Sequence, residues 1–287
     1  MPELPEVETV ARGVDRHVRG DRILEVWFSS LPQPFKNPPQ RQASGLRDRQ
    51  VLSVHRTGKH IVFELGPQGD KRVGRKRKTD ATEEIAAQWI VHLGMTGRLL
   101  MATADAEVEK HTHARVSFES GLELRFVDPR RFGRLEFRDL TRGKAFTAPG
   151  AEPLAIGAEE FAGLFRHRKL VIKAALLNQG LLAGVGNIYA DESLFRAGIR
   201  PRRIAGRLTK DDLGRLRTAL KEVLRAAIRL GGSSVSDYVD ADGSRGFFQL
   251  EHYVYQRTGE PCRKCGAQIK RVVVAGRSTH YCPGCQR

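Results

Sequence analysis

A chain of 287 residues with 40% hydrophobic and 29% charged side chains has room for two ordinary domains and the make-up of a globular protein, not a disordered one. No apolar run approaches the ~20 residues that cross a bilayer, and the acidic, proline-broken start is unlike a signal or transit peptide, so a cytoplasmic protein is expected. Lys and Arg number 49 against 33 Asp and Glu, a formal net charge of +16, which favours a nucleic-acid partner over generic basicity.

In chain order, Pro5 suits the first position of a helix, and Glu6 and Glu8 lie in the first turn, where carboxylates complement the helix dipole. Val7, Val10, Val14 and Val18 then form one apolar stripe, with Gly20 as the stop. From 22 to about 138 the signals are those of strands: 51–54, 60–65 and 89–93 are apolar runs, and 116–119 and 122–126 flank the turn Ser120-Gly121. This spacing predicts a β-sandwich or barrel-like domain. The run at 71–78, nearly all Lys and Arg, interrupts it and reads as a solvated loop, with DNA contact as the alternative.

A Gly-, Pro- and Ala-rich linker at 141–153 precedes a change to helical period. Segments 159–165, 170–177 and 187–197 read as helices, the last entered through Gly184-Val185-Gly186-Asn187 and ended by Gly198. Thr209 and Asp212 resemble a capping box for a helix with Leu213, Leu216, Leu220, Val223, Leu224, Ala227 and Ile228 on its apolar face, closed by Gly231-Gly232. The expectation is an α+β chain with three parts: a β-sandwich domain with flanking helices at 1–140, a helical domain at 141–255 and a zinc finger at 256–287.

The four cysteines all fall at the end. Cys262-x2-Cys265 and Cys282-x2-Cys285 suit a tetrahedral four-thiolate Zn²⁺ site, structural because it leaves no open position, whereas two disulfides are disfavoured in a reducing compartment. Between the pairs, 269–274 and 278–281 alternate as a hairpin with Ala275-Gly276 at its tip and Arg277 beside it, placed to grip a phosphate or simply to be solvated. Removal of Met1 frees the secondary amine of Pro2, a nucleophile towards a sugar C1′, with Glu3 and Glu6 as neighbouring acids; read alone, this is also an ordinary helix start. The turn before Asn187 offers backbone N–H groups to a phosphate, or is a plain N-cap. Met95 and Phe132 sit beside glycines, with Arg130 near, as wedge residues for a base step or as core.

The ordered segments PELPEVE (2–8), GKH (58–60), HLGMTGRL (92–99), DPRRFGR (128–134), GVGNIYADESLFRAGI (184–199) and GEPCxxCG…GRSTHYCPGCQ (259–286) resemble the bacterial formamidopyrimidine-DNA glycosylases along nearly the whole chain, apart from the insert at 70–87. The resemblance implies a helix-two-turn-helix in the helical domain, and a bifunctional glycosylase and abasic-site lyase that removes oxidised purines and cleaves by β- and δ-elimination from a Pro2 Schiff base. By the same resemblance Glu3 protonates the opening sugar and Glu6 orients the N-terminal segment. Lys59, Asn187 and Arg277 hold phosphates, with Lys59 and Arg277 also counted among the catalytic residues. Met95, Arg130 and Phe132 fill the gap left by the flipped base, and Lys173 lies near the DNA backbone. Ser233, Val235, Ser236, Asp237 and Tyr238 belong to a loop that closes over the everted base. One structural zinc, duplex DNA with oxidised bases as partner, no membrane and a monomer are expected. The alternatives are a pyrimidine-directed relative, endonuclease VIII, which would prefer thymine glycol, and a non-catalytic zinc-ribbon DNA binder, which would be indifferent to a blocked amine.

Overall fold

The structure, a computed structural model, describes residues 1–31, 35–69, 84–235 and 238–287, so the basic run at 71–78 and the loop residues Ser236 and Asp237 lie outside the described residues. The chain divides into two compact units. The first holds Met1–Pro2, Glu6–Thr147 and Ser234–Gly246; the second holds Glu3–Pro5, Ala148–Ser233 and Phe247–Arg287.

The first unit contains most of helix α1 (Leu4–Val18), then β1 (Ile23–Phe28), α2 (Pro39–Leu46), β2 (Arg49–Thr57), β3 (His60–Gln68), β4 (Ala87–His92), β5 (Arg98–Thr103), β6 (Thr112–Phe118), β7 (Leu122–Val127) and β8 (Arg134–Asp139). Two four-stranded sheets form, in the orders β1-β6-β7-β5 and β2-β3-β4-β8, with antiparallel neighbours throughout. These are the two layers of the expected sandwich. The α1 stripe behaves as its period requires: Val7, Val10, Val14 and Val18 are at most 1% exposed and pack with residues of both sheets. Burial stabilises each by roughly 1.5–3 kcal/mol relative to exposure, as an upper bound. Residues 234–246, expected within the helical domain, belong to this unit because Tyr238 and Ala241 join its core.

The second unit contains α3 (Ala158–Phe165), α4 (Ile172–Leu177), α5 (Asn187–Ala197), α6 (Lys210–Arg229) and the hairpin of β9 (Lys270–Val274) and β10 (Arg277–Tyr281). The capping box of α6 is made: Thr209 Oγ1 accepts from the Asp212 N–H at 3.1 Å, and Asp212 Oδ2 accepts from the Thr209 N–H at 3.2 Å. Helix α5 ends on Gly198 in the left-handed region, φ 72°. All residues from Ile188 to Phe195 are buried, so the polar ones, Asp191, Glu192 and Ser193, face protein instead of water. The hairpin turns on Ala275 and Gly276, φ 49° and 72°, the two positive values of a type I′ turn, with Arg277 opposite Val274.

Candidate active site and nucleic-acid interface

Pro2 is buried behind an exposed Met1. Glu3, 4% exposed, accepts at Oε1 from the Ile188 N–H at 3.2 Å, and the Leu4 N–H donates to the Gly184 carbonyl at 3.0 Å. A Cβ at Gly186 would overlap the Glu3 carboxyl, so only glycine admits the acid here. The turn expected to take a phosphate therefore holds the Glu3 carboxylate at the N-terminus of α5, where the helix dipole favours an anion. Asn187, expected to add an outward donor, gives its Nδ2–H to the Ser278 carbonyl at 2.9 Å, inside the same unit. In the first unit, Glu6 is 2% exposed on α1, and Lys59 is half-buried in the turn between β2 and β3.

Lys173 is placed differently from the expectation. It is fully buried, with Nζ 2.6 Å from Asp191 Oδ1, and it donates to the Thr279 hydroxyl at 2.8 Å and the Ser278 carbonyl at 3.0 Å. Burial pushes its ammonium pKa down, against the pull of Asp191. The other Asp191 oxygen accepts from the His280 N–H at 2.8 Å and lies 3.2 Å from its Nδ1. A buried charge network thus ties α4 and α5 to β10, at whose first position Arg277 stands exposed. Lys173 supports the hairpin from within and has no nucleic-acid-facing surface of its own. Glu192 plays a parallel part. Its carboxylate accepts from the N–H groups of Tyr253, Val254 and Tyr255 at 2.9–3.1 Å, while burial pushes its pKa up.

Cys262, Cys265, Cys282 and Cys285 converge with all Sγ atoms within 4.8 Å of one another. The Cys262–Cys285 and Cys265–Cys282 separations are 3.8 and 3.4 Å, close to the edge of about 3.8 Å that a tetrahedron with ~2.3 Å zinc–sulfur bonds requires. Burial and the neighbouring sulfurs push the Cys282 and Cys285 thiols up, so four thiolates this close need a cation to be ionised together. The residues fit one structural Zn²⁺.

In the first unit, two glycine-bearing turns are stitched by a carboxylate. Asp128, fully buried, accepts from the Thr96 hydroxyl at 2.7 Å and the Gly133 N–H at 2.8 Å. Gly94, φ 65°, lies so close to the other turn that a Cβ would sit 2.5 Å from the Gly133 nitrogen. On the outside of these turns Met95 is 42% and Phe132 47% exposed, and the Arg130 guanidinium stands 5.0 Å from the Phe132 ring centre. Core packing does not account for side chains this exposed.

Sequence reasoning passed over His111, exposed at φ 67°, whose carbonyl accepts from the Asp128 N–H at 3.0 Å and which therefore borders the Arg130 turn. It also passed over the exposed cations Arg166, Arg168 and Lys169 of the second unit. Their signal in the sequence is local positive charge. Also in the first unit is a cavity of about 310 Å³ lined by Lys36, His60, Ile90, His92, Arg134, Glu136, Arg138 and Phe146. Burial lowers His60 and His92 to about 4, so both imidazoles are neutral at physiological pH.

A metal-clamped hairpin, an acid seated on a helix N-terminus and an exposed Met-Arg-Phe edge are the parts of a zinc-finger DNA-processing enzyme. Family models match the formamidopyrimidine-DNA glycosylase N-terminal domain over residues 1–135, the H2TH domain of the same enzymes over 149–239, and the zinc finger found in FPG and IleRS over 259–287. Formamidopyrimidine-DNA glycosylases of Solibacter usitatus and Desulfitobacterium hafniense are 45% and 41% identical, each over 100% of both chains. Among solved structures, Lactococcus lactis Fpg complexed with abasic-site DNA superposes with a TM-score of 0.84 at 34% identity, covering 99% of each chain. The MutM (FPG) protein of Thermus thermophilus gives 0.81 at 40% identity over 99% and 98%. The chain belongs to the formamidopyrimidine-DNA glycosylase family, DNA repair enzymes that couple glycosylase to abasic-site lyase activity. No helix among the described residues is long and apolar enough to cross a membrane.

Proposed function

We propose that this protein excises oxidised purines, 8-oxoguanine and formamidopyrimidines, from duplex DNA and then cuts the abasic strand through a Schiff base on Pro2. Once Met1 is removed, the Pro2 nitrogen is a secondary amine, and α-amines titrate near roughly 7.7–8.0, so roughly a fifth to a third of such a group is neutral at about pH 7.4. Its lone pair attacks C1′, the bond to the base breaks, and the base leaves with a proton. Glu3 protonates the opening sugar oxygen, which leaves a C1′ iminium on Pro2. Loss of a C2′ proton expels the 3′ phosphate, and a second elimination expels the 5′ phosphate. Glu6 orients the N-terminal segment.

The observation that carries this reading is the seat of Glu3: a buried acid directly after Pro2, held by the Ile188 N–H in a space only Gly186 allows. Lys59, Asn187 and Arg277 are the proposed phosphate grips, with Lys59 and Arg277 also serving the eliminations. Lys173 acts through the hairpin, and the exposed side chains of His111 and Lys169 each offer a further donor to DNA. Met95, Arg130 and Phe132 fill the vacated stack and meet the orphaned base. Ser233, Val235, Ser236, Asp237 and Tyr238 belong to the loop over the everted purine. The setting is the bacterial cytoplasm, and one chain acts as a monomer.

Borohydride trapping tests the amine. An 8-oxoguanine:cytosine duplex incubated with the native protein should give a covalent band on a denaturing gel, and an N-terminal extension that blocks Pro2 should abolish it. A band from the extended protein would remove Pro2 from the chemistry. Faster cleavage at thymine glycol than at 8-oxoguanine would assign the endonuclease VIII specificity instead.

A further inference from the structure

The described residues of the segment 234–246 are tied to one another and moored to α1. The Ser234 hydroxyl donates to the Tyr238 carbonyl at 2.9 Å and accepts from the Gly246 N–H at 2.9 Å, so one side chain pins both ends. Within the loop, Asp240 Oδ1 accepts from the N–H groups of Asp242 and Ser244 at 3.0 and 2.8 Å. Three moorings then run down the helix. The Tyr238 hydroxyl donates to the Glu6 carbonyl at 3.3 Å. Ala241, fully buried, fills the space beside Gly13, where an added Cβ would lie 2.9 Å from that of Ala241. Asp242 pairs with His17 at 2.7 Å and lies 3.9 Å from Arg16. Glu6, Gly13 and His17, seven and four residues apart, share one face of the helix. A fourth tie, from the Met101 N–H to the Ala241 carbonyl at 2.9 Å, joins the loop to β5. Glycine inside a helix is unfavourable unless space demands it, and at Gly13 the strap supplies that demand.

We propose that this strap positions the base-recognition residues, with Gly13 and His17 as positioning residues that control base excision while leaving abasic-site cleavage intact. The proposal rests on the functional reading above, in which the loop closes over the everted base. Val235 directly follows Ser234, and Tyr238 is itself moored to the Glu6 carbonyl, so a displaced mooring displaces both. Excision requires the base to be held. The eliminations that follow act on a sugar from which the base has already gone. The helix that moors the strap also carries Glu6 and follows Pro2, so recognition and nucleophile take their positions from the same element.

The test uses the full-length, zinc-loaded protein on two duplexes, one with 8-oxoguanine opposite cytosine and one with a preformed abasic site, under single-turnover conditions. Gly13→Ala should slow 8-oxoguanine excision on the order of tenfold, since small misplacements of binding groups weaken catalysis steeply, while abasic cleavage stays within about twofold. Gly13→Ala combined with Ala241→Gly, which removes the opposing methyl, should recover excision. His17→Ala, a surface change that leaves folding intact, should slow excision a few-fold in the same selective way. Parallel loss of both activities in either single variant, or full excision in both, would overturn the proposal. Failure of the underlying functional reading looks different: the unsubstituted protein would itself leave 8-oxoguanine in place, and the proposal would fall with it.

Discussion

Arg277 at the zinc hairpin and Arg130 beside Phe132 are both exposed cations on short turns, yet what lies beneath them differs. Under Arg277 is the Lys173–Asp191 ion pair, fully out of water, with the His280 N–H donating to Asp191. Under Arg130 is one carboxylate, Asp128, satisfied by a hydroxyl and a backbone N–H. Charges buried against each other are costly to separate, because removing one leaves the other unpaired in a poor dielectric. A carboxylate held by neutral donors is a cheaper clamp, and the groups it supports depend also on the close glycine contact of the two turns. The hairpin is therefore held by buried charge and metal, and the turn that carries Arg130 by local backbone geometry.

The difference ranks the substitutions. Chelating the zinc, or Cys282→Ser, should cost the most: the hairpin loses its fold and Arg277 its place, so duplex affinity measured by fluorescence anisotropy falls on the order of a hundredfold. Retained tight binding would mean the hairpin contributes little. Lys173→Met strands Asp191 and should lower stability by about 3–5 kcal/mol in thermal unfolding, whereas Lys173→Met with Asp191→Leu should recover most of that. Failure of the double variant to recover would show that the network does more than balance charge. Asp128→Ala should cost about 1–3 kcal/mol by leaving the Gly133 N–H without its partner.

Acid probes the same contrast. Burial lowers His60, His92 and His252 from an ordinary value of 6.5 to about 4. The unfolded chain then takes up protons that the folded chain refuses, so stability is present above pH 6.5, declines as pH drops from 6.5 towards 4, and levels off below. Two of the three histidines belong to the first unit, and hydrogen exchange across this pH range should show it loosening ahead of the second. Phe132→Ala should have the smallest effect on stability, within about 0.5 kcal/mol, because the ring is 47% exposed, while affinity for the lesion duplex falls a few-fold. A large loss of stability there would return Phe132 to the core.

Features with a local signature were legible in the sequence. The α1 stripe, the Thr209–Asp212 box, the Gly198 stop and the paired cysteines each rest on residues a few positions apart, and each is found where expected. Helix α2 was not legible. Its buried Gln42 reads as surface, and only the fold shows its amide bonding the Asn37 and Leu135 carbonyls and accepting from Trp89. The same limit explains the candidate site. Pro2, Glu3 and Glu6 adjoin in sequence and could be named, but that the acid sits at the start of α5 depends on a hydrogen bond spanning 185 positions. Lys173 carried the same ambiguity: a lysine on an amphipathic segment reads as surface until its partner, 18 residues on, is seen to be buried with it.

The hydrogen bonds that enter the C-terminal finger bear on how such a module can be inherited or moved. Strand β10 leans on Lys173, Asn187 and Asp191, the chain leading into the finger hangs from Glu192, and Gln286 bonds the Ile199 carbonyl at 2.9 Å. Excised as a peptide of about thirty residues, the finger would still chelate metal through its own cysteines. It would arrive in a new host, however, with its tip arginine aimed by nothing. A graft that keeps Arg277 aimed has to carry helix α5 along with the finger.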